Sequence, residues 1–326
     1  MKKIRWGLLS TANINRRVIP AIRESKRGDL VAVASRDLDK ARKYAKKWEI
    51  PTVFGSYQEM LDSGKVDAVY VSLPNHLHAE WSIKAMQAGV HVLCEKPFAI
   101  TLDQVDAMIA AKEQTSMVLA EAFMYRHHPQ TRKAGELVHS GKLGEISLVR
   151  GTFDFAFESR ENVRLVPEWG GGCLWDVGVY PLSFAQYIYG GPPDWVMGAQ
   201  WLGDSGVDET FSGQMGYPGN RFGQIGAAFR TPFYTFVEVI GTKGRLHIDK
   251  PFIGVEDSHM IFYDQKGKAK TISVPKPYLY LGEIEDMHAA ILDGKPNYIS
   301  LEETRNHIRT VLALYESART GQVTHI

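Results

Sequence analysis

Lys96 stands between Glu95 and Pro97, directly after the apolar run Val90–Cys94. A lysine placed there is partly desolvated. Burial favours its neutral form, whereas a carboxylate such as Glu95 favours the charged form. Pro97 lacks a backbone donor and restricts the conformation of Lys96, so the amine can be held in a fixed place. By residue type alone, Lys96 reads as a surface-loop lysine. A second candidate is the segment Trp169-Gly170-Gly171-Gly172-Cys173-Leu174-Trp175-Asp176-Val177-Gly178-Val179-Tyr180. Three consecutive glycines permit close approach by a ligand or by another backbone. Asp176 and Tyr180, four apart, share one face of a helical turn, although Gly178 and Pro181 make that turn irregular. A lysine ammonium near a tyrosine favours the phenolate. A Tyr–Lys pair is therefore a reasonable proton donor to a carbonyl that receives hydride. The plain alternative for Tyr180 is a core or rim tyrosine.

Two earlier segments carry the chemistry of nucleotide binding. Ser10-Thr11-Ala12-Asn13-Ile14 follows the run Ile4–Leu9. A dinucleotide-binding turn ordinarily reads G-x-G-x-x-G, with glycines for the tight turn and for approach to the pyrophosphate. Here Gly7 falls within the strand, and Ser10 and Ala12 take the loop positions. Both are small, and the N-terminus of the next helix can still face an anion. A bland strand–turn–helix is the competing reading. Ser35-Arg36 ends the second strand pattern, where an enzyme using NAD usually has an acidic residue for the ribose 2′-hydroxyl. A hydroxyl and a guanidinium suit a 2′-phosphate instead, and Lys40, one turn on, adds charge. NADP(H) is thus expected ahead of NAD(H), with Asp37 keeping the second option open.

The elements that must position these residues alternate over the first 120 or so positions. Ile4–Leu9, Leu30–Ser35, Ala68–Leu73, Val90–Cys94 and Met117–Ala120 are short and nearly continuously apolar, as strands buried on both faces should be. Helical patterns lie between them at Asp37–Trp48, His78–Ala88 and Leu102–Gln114, the last with a capping box from Thr101 and Gln104. This alternation predicts a doubly wound parallel sheet. Ligands bind beyond the carboxyl ends of such strands. Ser10–Ile14, Pro74-Asn75-His76 and Glu95-Lys96-Pro97 should therefore share one edge. After residue 122 the pattern changes. Long aromatic-rich strands at Ile146–Ala156, Trp195–Leu202, Glu209–Met215, Phe222–Phe229 and Phe233–Ile240, with turns such as Gly241-Thr242-Lys243-Gly244, predict a large, mostly antiparallel sheet. Helices are expected at Gln130–Ser140, Leu182–Tyr189, Glu283–Leu292 and Leu301–Arg319. The expected architecture is an α/β domain over 1–122 and an α+β domain over 123–326.

Bulk properties narrow the partners. At roughly 150 residues per domain, a chain of 326 residues suits two domains. Its 38 basic and 37 acidic residues balance, so no basic field recruits nucleic acid or an anionic membrane. No run approaches the ~18 apolar residues of a membrane helix. The start MKKIRWGLLSTANINRR has too short an apolar run for an export signal and reads as a first strand. Cys94 and Cys173 lie far apart and make no metal-ligand spacing, which suits a reducing compartment; the expected location is the cytoplasm.

Together these residues resemble the Gfo/Idh/MocA family of oxidoreductases. The resemblance spans essentially the whole chain. It is carried by the turn at Gly7–Ile14, by Pro74-Asn75-His76-x-His78 and by Glu95-Lys96-Pro97. Further on it is carried by Glu121-Ala122-Phe123-Met124-Tyr125-Arg126-His127-His128-Pro129 and by Gly171-Gly172-x-x-x-Asp176-x-Gly178-x-Tyr180. Dihydrodiol dehydrogenases, NADP-dependent xylose dehydrogenases and sugar ketoreductases are the branch it looks most like. The resemblance implies that Lys96 is the active-site lysine and that the bond before Pro97 is cis. It implies that Tyr180 takes the place of the catalytic acid/base, and that Asp176 contacts substrate or orients that group. Asn75 and His76 would line the nicotinamide end, with Glu95, and Leu73 and Lys96 would also contact the cofactor. Arg126 would face substrate, and Phe155 and Trp175 would wall a ring-shaped one unless they are core residues. Ser10, Ala12 and Asn15 depart from the family's small residues, implying altered cofactor affinity. The expected reaction is hydride transfer to or from a sugar, cyclic polyol or dihydrodiol. A homodimer or homotetramer through the C-terminal sheet is also expected. Two rival readings are a non-catalytic NADP-sensing regulator and an NAD-dependent glycosidase on the same fold.

Overall fold

The computed structural model describes residues 2–157, 159–254 and 258–326. The chain forms two compact units, Met1–Met124 with Tyr280–Thr304, and Tyr125–Leu279 with Arg305–Ile326. The expected break at 122/123 falls beside the change of unit. The return of 280–304 to the first unit is a feature that a single cut does not contain.

In the first unit, β1 (Ile4–Leu9), β2 (Gly28–Ala34), β3 (Thr52–Phe54), β4 (Ala68–Val71), β5 (His91–Glu95) and β6 (Leu119–Ala122) form one parallel sheet in the order β3-β2-β1-β4-β5-β6. Helices α1 (Asn15–Glu24), α2 (Leu38–Trp48), α3 (Tyr57–Asp62), α4 (His78–Gln87) and α5 (Leu102–Thr115) connect the strands. The doubly wound sheet is as expected from the alternation. Leu8, Leu9, Val69, Tyr70 and Val71 are fully buried, which is why these strands carry no polar face. Each such aliphatic side chain contributes roughly 1.5–3 kcal/mol by leaving water. The order reverses between β1 and β4, where ligands bind in open α/β sheets. Register places Leu9 opposite Val71, and Val71 opposite Cys94. Ser10, Ser72 and Glu95 therefore leave the sheet at one edge.

Two short pieces, β3 and α3, have no counterpart among the predicted elements, because three half-buried residues and six helical ones give too little periodicity. Thr101 Oγ1 accepts from Gln104 N–H at 3.2 Å, as the capping box predicts. Gln104 Oε1, however, accepts from Ile100 N–H, one residue before the expected partner.

Chain passes into the second unit through α6 (Met124–His127) and α7 (Pro129–His139). Its sheet comprises β7 (Ile146–Ala156), β8 (Trp195–Leu202), β9 (Asp208–Tyr217), β10 (Arg221–Ala228), β11 (Arg230–Gly241), β12 (Gly244–Asp249), β13 (Met260–Asp264), β14 (Ala269–Thr271) and β15 (Thr324–His325). The order is β14-β13-β12-β11-β7-β10-β9-β8-β15. Only the β7–β10 pair is parallel among the described strands. Helix α8 (Val179–Tyr189) is buried along most of its length. Helix α9 (Leu281–Asp293) belongs to the first unit, where Trp6 Nε1 donates to His288 Nε2 at 2.9 Å. Helix α10 (Leu301–Thr320) contributes Thr304 to the first unit and Thr310, Tyr315 and Ser317 to the second.

Candidate active site

Ser10, Ser72 and Asn15 form a closed polar network at the switch point. The hydroxyls of Ser10 and Ser72 lie 2.8 Å apart. Ser72 donates to Asn15 Oδ1 at 2.7 Å, and Asn15 Nδ2 donates to the Ser10 carbonyl at 2.8 Å. Ser10 Oγ accepts from Ala12 N–H at 3.0 Å. Ser10 holds φ at 149°, a region that favours glycine. The network is thus the substitute for the missing glycine: it fixes a strained residue that glycine would occupy freely. Gly7 serves packing instead, since a Cβ there would stand 2.8 Å from Met60 Sδ and 2.9 Å from Val66 Cγ1. The N–H groups of Thr11, Asn13 and Ile14 meet no acceptor among the described residues. They precede α1, so donors and helix N-terminus together fit a pyrophosphate.

At the end of β2, Ser35 Oγ accepts from Asp37 N–H at 3.2 Å. Asp37 Oδ1 accepts from Lys40 N–H at 3.0 Å as the N-cap of α2. The residue that kept NAD(H) open is thus engaged in capping a helix. Arg36 is exposed, with its guanidinium in the neighbourhood of the buried Tyr57 hydroxyl. Burial pushes the Tyr57 phenol up, and Arg36 draws it back down. Tyr57 itself sits edge-on to Trp81, with ring centroids 5.0 Å apart. Lys40 is exposed on the first turn of α2.

The Lys96 loop is anchored on three sides. The peptide bond between Lys96 and Pro97 is cis, as the resemblance implied. Tyr70 donates to Glu95 from the core, and Glu95 Oε2 accepts from Lys96 N–H at 3.1 Å. Both ring nitrogens of His78 lie 2.8 Å from carbonyl oxygens, those of Leu73 and Pro97. His78 therefore ties the loop carrying Asn75 and His76 to the loop carrying Lys96. Burial pushes its imidazole down to about 4, against the pull of the two carbonyls. Beyond Pro97, Phe98 N–H donates to Glu121 Oε1 at 3.2 Å, and Thr304 Oγ1 donates to Glu121 Oε2 at 3.0 Å. Asn75 and His76 lie half-buried on a 3₁₀ turn. Glu283, on α9, has neither carboxyl oxygen hydrogen-bonded; burial first, then the Glu95 and Asp286 carboxylates, push it well above the carboxylate range.

In the second unit the glycine run is explained by protein neighbours. A Cβ on Gly171 would stand 2.6 Å from the Arg164 carbonyl oxygen, and one on Gly172 would stand 2.0 Å from Asp208 Oδ1. Of the two alternatives, ligand or backbone, Gly171 answers to backbone and Gly172 to a buried carboxyl. Leu174–Gly178 forms a π-turn. Its bonds run i to i+5, so the α-helical face shared by Asp176 and Tyr180 does not carry across it. Asp176 lies inside the π-turn and accepts from Arg164 Nε at 2.6 Å. Tyr180 lies in the first turn of α8, 5% exposed, with Tyr125, Phe153 and Phe252 centroids at 5.7, 5.4 and 5.3 Å. Its carbonyl accepts from Ser183 Oγ at 3.0 Å.

Three further expected substrate residues, Arg126, Trp175 and Phe155, have aromatic neighbours within the second unit. Arg126 is 2% exposed, its guanidinium 4.1 Å over the Tyr187 ring. Trp175 is buried against Tyr315 at 5.7 Å. Phe155 packs on Phe157 and Phe229, each at 5.2 Å. The residues that sequence reasoning missed are Arg164, Asp208, Tyr57, Tyr70 and Glu121, whose partners are remote in sequence.

A parallel sheet with a donor-lined turn at its switch point and a fixed lysine at the same edge defines a dinucleotide-dependent oxidoreductase. The chain belongs to the GFO/IDH/MocA oxidoreductase family. The family's NAD-binding Rossmann fold matches residues 4–123, and its C-terminal domain matches residues 131–247. D-xylose 1-dehydrogenase (NADP(+)) 2 of Haloferax volcanii is 36% identical over 97% of this chain and 98% of its own. Trans-1,2-dihydrobenzene-1,2-diol dehydrogenase of Xenopus laevis is 32% identical over 75% of this chain and 74% of its own. The crystal structure of aldose-aldose oxidoreductase from Caulobacter crescentus, complexed with glycerol, superposes with a TM-score of 0.92 at 26% identity, covering 100% of both chains.

Proposed function

We propose that this oxidoreductase uses NADP(H) to interconvert a secondary alcohol and a carbonyl on a sugar, cyclic polyol or dihydrodiol. The observation that supports this reading is the Lys96 loop, anchored by Tyr70, His78 and Glu121 at the edge of the sheet where Ser10 and Ser72 also end. Arg36 and Lys40 supply donors for a 2′-phosphate, and Asp37 is engaged as a cap. Ser35 is the hydroxyl beside them, and it also orders the Asp37 amide. Thr11, Asn13 and Ile14 offer amides to the pyrophosphate. Leu73, Asn75, His76 and Glu95 line the nicotinamide end. A bound nicotinamide supplies or accepts the hydride, while the protein supplies position and field.

Tyr180 gives or takes the hydroxyl proton at the substrate oxygen. Lys96 polarises the reacting carbonyl. Asp176, oriented by Arg164, hydrogen-bonds a neighbouring hydroxyl of the substrate. The names of the xylose and dihydrodiol relatives support this substrate class. The test is a panel of aldoses, inositols and dihydrodiols, with absorbance at the reduced-nicotinamide band, run with NADP and NAD. Turnover of at least one compound class with NADP preferred is expected. Tight NADPH binding without turnover of any compound would contradict the reading.

The assembly is a homodimer or homotetramer through the outer face of the second sheet. Met197 and Trp201, on one face of β8, are 49% and 47% exposed, and Tyr234 on β11 is 56% exposed. Apolar side chains left this open favour association. No helix among the described residues is long and apolar enough to cross a membrane. Two buried free cysteines suit the cytoplasm.

A further inference from the structure

Asp208 lies at the start of β9, next to the shift of register that pairs Leu202 with Asp208 and Trp201 with Thr210. Such irregularities re-aim side chains. This one leaves both Asp208 and Glu209 buried, at 2% and 1% exposed. The Asp208 carboxyl receives three donors from two other parts of the second unit. Oδ2 accepts from Leu174 N–H at 2.8 Å and from Cys173 Sγ at 3.1 Å, and Oδ1 accepts from Tyr315 Oη at 2.8 Å. Leu174 is the first residue of the π-turn. Its amide would otherwise be an orphan donor at a buried helix start. The carboxyl also dictates the glycine beside it. Gly172 has φ +124°, and any Cβ there would collide with Asp208 Oδ1.

We propose that Asp208 is a positioning residue for the reaction, clamping the first residue of the π-turn so that Asp176 and Tyr180 stand where substrate needs them. The proposal rests on the functional reading above. Asp208 touches neither substrate nor cofactor in that reading. It acts through Leu174, two residues before Asp176 and six before Tyr180. Tyr315 makes the clamp two-sided, because its ring also packs at a tilt against Trp175, the residue between Leu174 and Asp176. The role requires an oxygen acceptor of the right shape and not a charge. Burial pushes the carboxyl above its ordinary range, and all three partners are neutral donors.

The test combines amide hydrogen exchange with steady-state kinetics on the full chain. In Asp208→Ala, amides 173–178 should lose protection while those of the first unit keep theirs. Displacement of the catalytic groups by about 1 Å should lower kcat about 10²-fold, with the Kd for NADPH unchanged. Asp208→Asn keeps an acceptor for Leu174 N–H and should recover most of both signals. Unchanged exchange at 173–178 in Asp208→Ala, or unchanged kcat, overturns the proposal. So does failure of Asp208→Asn to recover kcat while its exchange is normal, since that would mean charge and not position. Should Asp208→Ala not fold, Gly172→Ala displaces the carboxyl instead, and unchanged exchange at 173–178 there is equally decisive. An inactive natural chain would refute the functional reading alone, because the exchange arm needs no substrate.

Discussion

Arg164 Nε donates to Asp176 Oδ2 at 2.6 Å, across twelve residues of sequence. The pair is aligned by the backbone. Gly172 N–H donates to the Arg164 carbonyl at 3.0 Å, and Gly171 leaves room for that crossing. The Arg164 side chain is 43% exposed and that of Asp176 is 12% exposed. A pair this open contributes at most about 1 kcal/mol to folding. Its consequence is orientation: one carboxylate oxygen is held in a fixed direction.

The first prediction concerns that pair. Arg164→Ala and Asp176→Asn should each lower kcat/KM for the substrate and leave NADPH affinity unchanged. Because the two act as one unit, the double variant should fall short of the sum by about 0.5–3 kcal/mol in a double-mutant cycle. Fully additive losses would mean that Arg164 does not orient Asp176.

Cofactor choice is the second. Arg36→Ala removes a charge-assisted partner of the 2′-phosphate, and about 1.5–3 kcal/mol corresponds to a ten- to hundredfold weaker NADPH complex. NADH binding should be little changed. Fluorescence titration of both nucleotides checks this, and equal effects on both would remove Arg36 from the 2′-phosphate site.

Acid stability is the third. Trp6 Nε1 donates to His288 Nε2, so the proton of the neutral ring sits on Nδ1, 3.0 Å from Ser25 Oγ. Burial pushes His288 down to about 4, below the ordinary ~6.5. A folded-state value below the unfolded one means that the unfolded chain binds the extra proton. Its contribution is then complete above pH ~6.5 and is lost as pH falls toward 4. The thermal midpoint should drop between pH 7 and 4.5, and His288→Gln should flatten part of that drop. His78, His91, His127 and His128, also depressed by burial, contribute to the rest of the drop. An unaltered slope in His288→Gln would contradict this.

What could be read in the sequence follows the range of the interactions. Ile4–Leu9, Ile146–Ala156 and Trp195–Leu202 match observed strands end for end, because a strand buried on both faces and a strand with alternating burial each leave a local pattern. Lys96 was legible through the strand before it and the proline after it. The three anchors of its loop were not. Tyr70 and His78 look like an ordinary strand residue and a helix start, and Glu121 like a strand residue; each acquires its role from a partner brought near by the sheet. Asp176 and Tyr180 stand out by residue type and spacing, but the π-turn that contains Asp176 does not, since it begins at an amide held by the remote Asp208. Arg36 stands out by its position after a strand, whereas its neighbour Tyr57 leaves no signal in the sequence.

The central claim is that Lys96 serves proton transfer and not nucleotide binding. The most direct measurement is the single-turnover rate of hydride transfer in Lys96→Met, with the NADPH Kd determined on the same protein. The predicted result is a rate lower by about 10²–10⁴-fold, the range typical of general acid–base assistance, with the Kd unchanged. A variant that keeps most of its rate, or one whose NADPH affinity falls in step with its rate, would contradict the account.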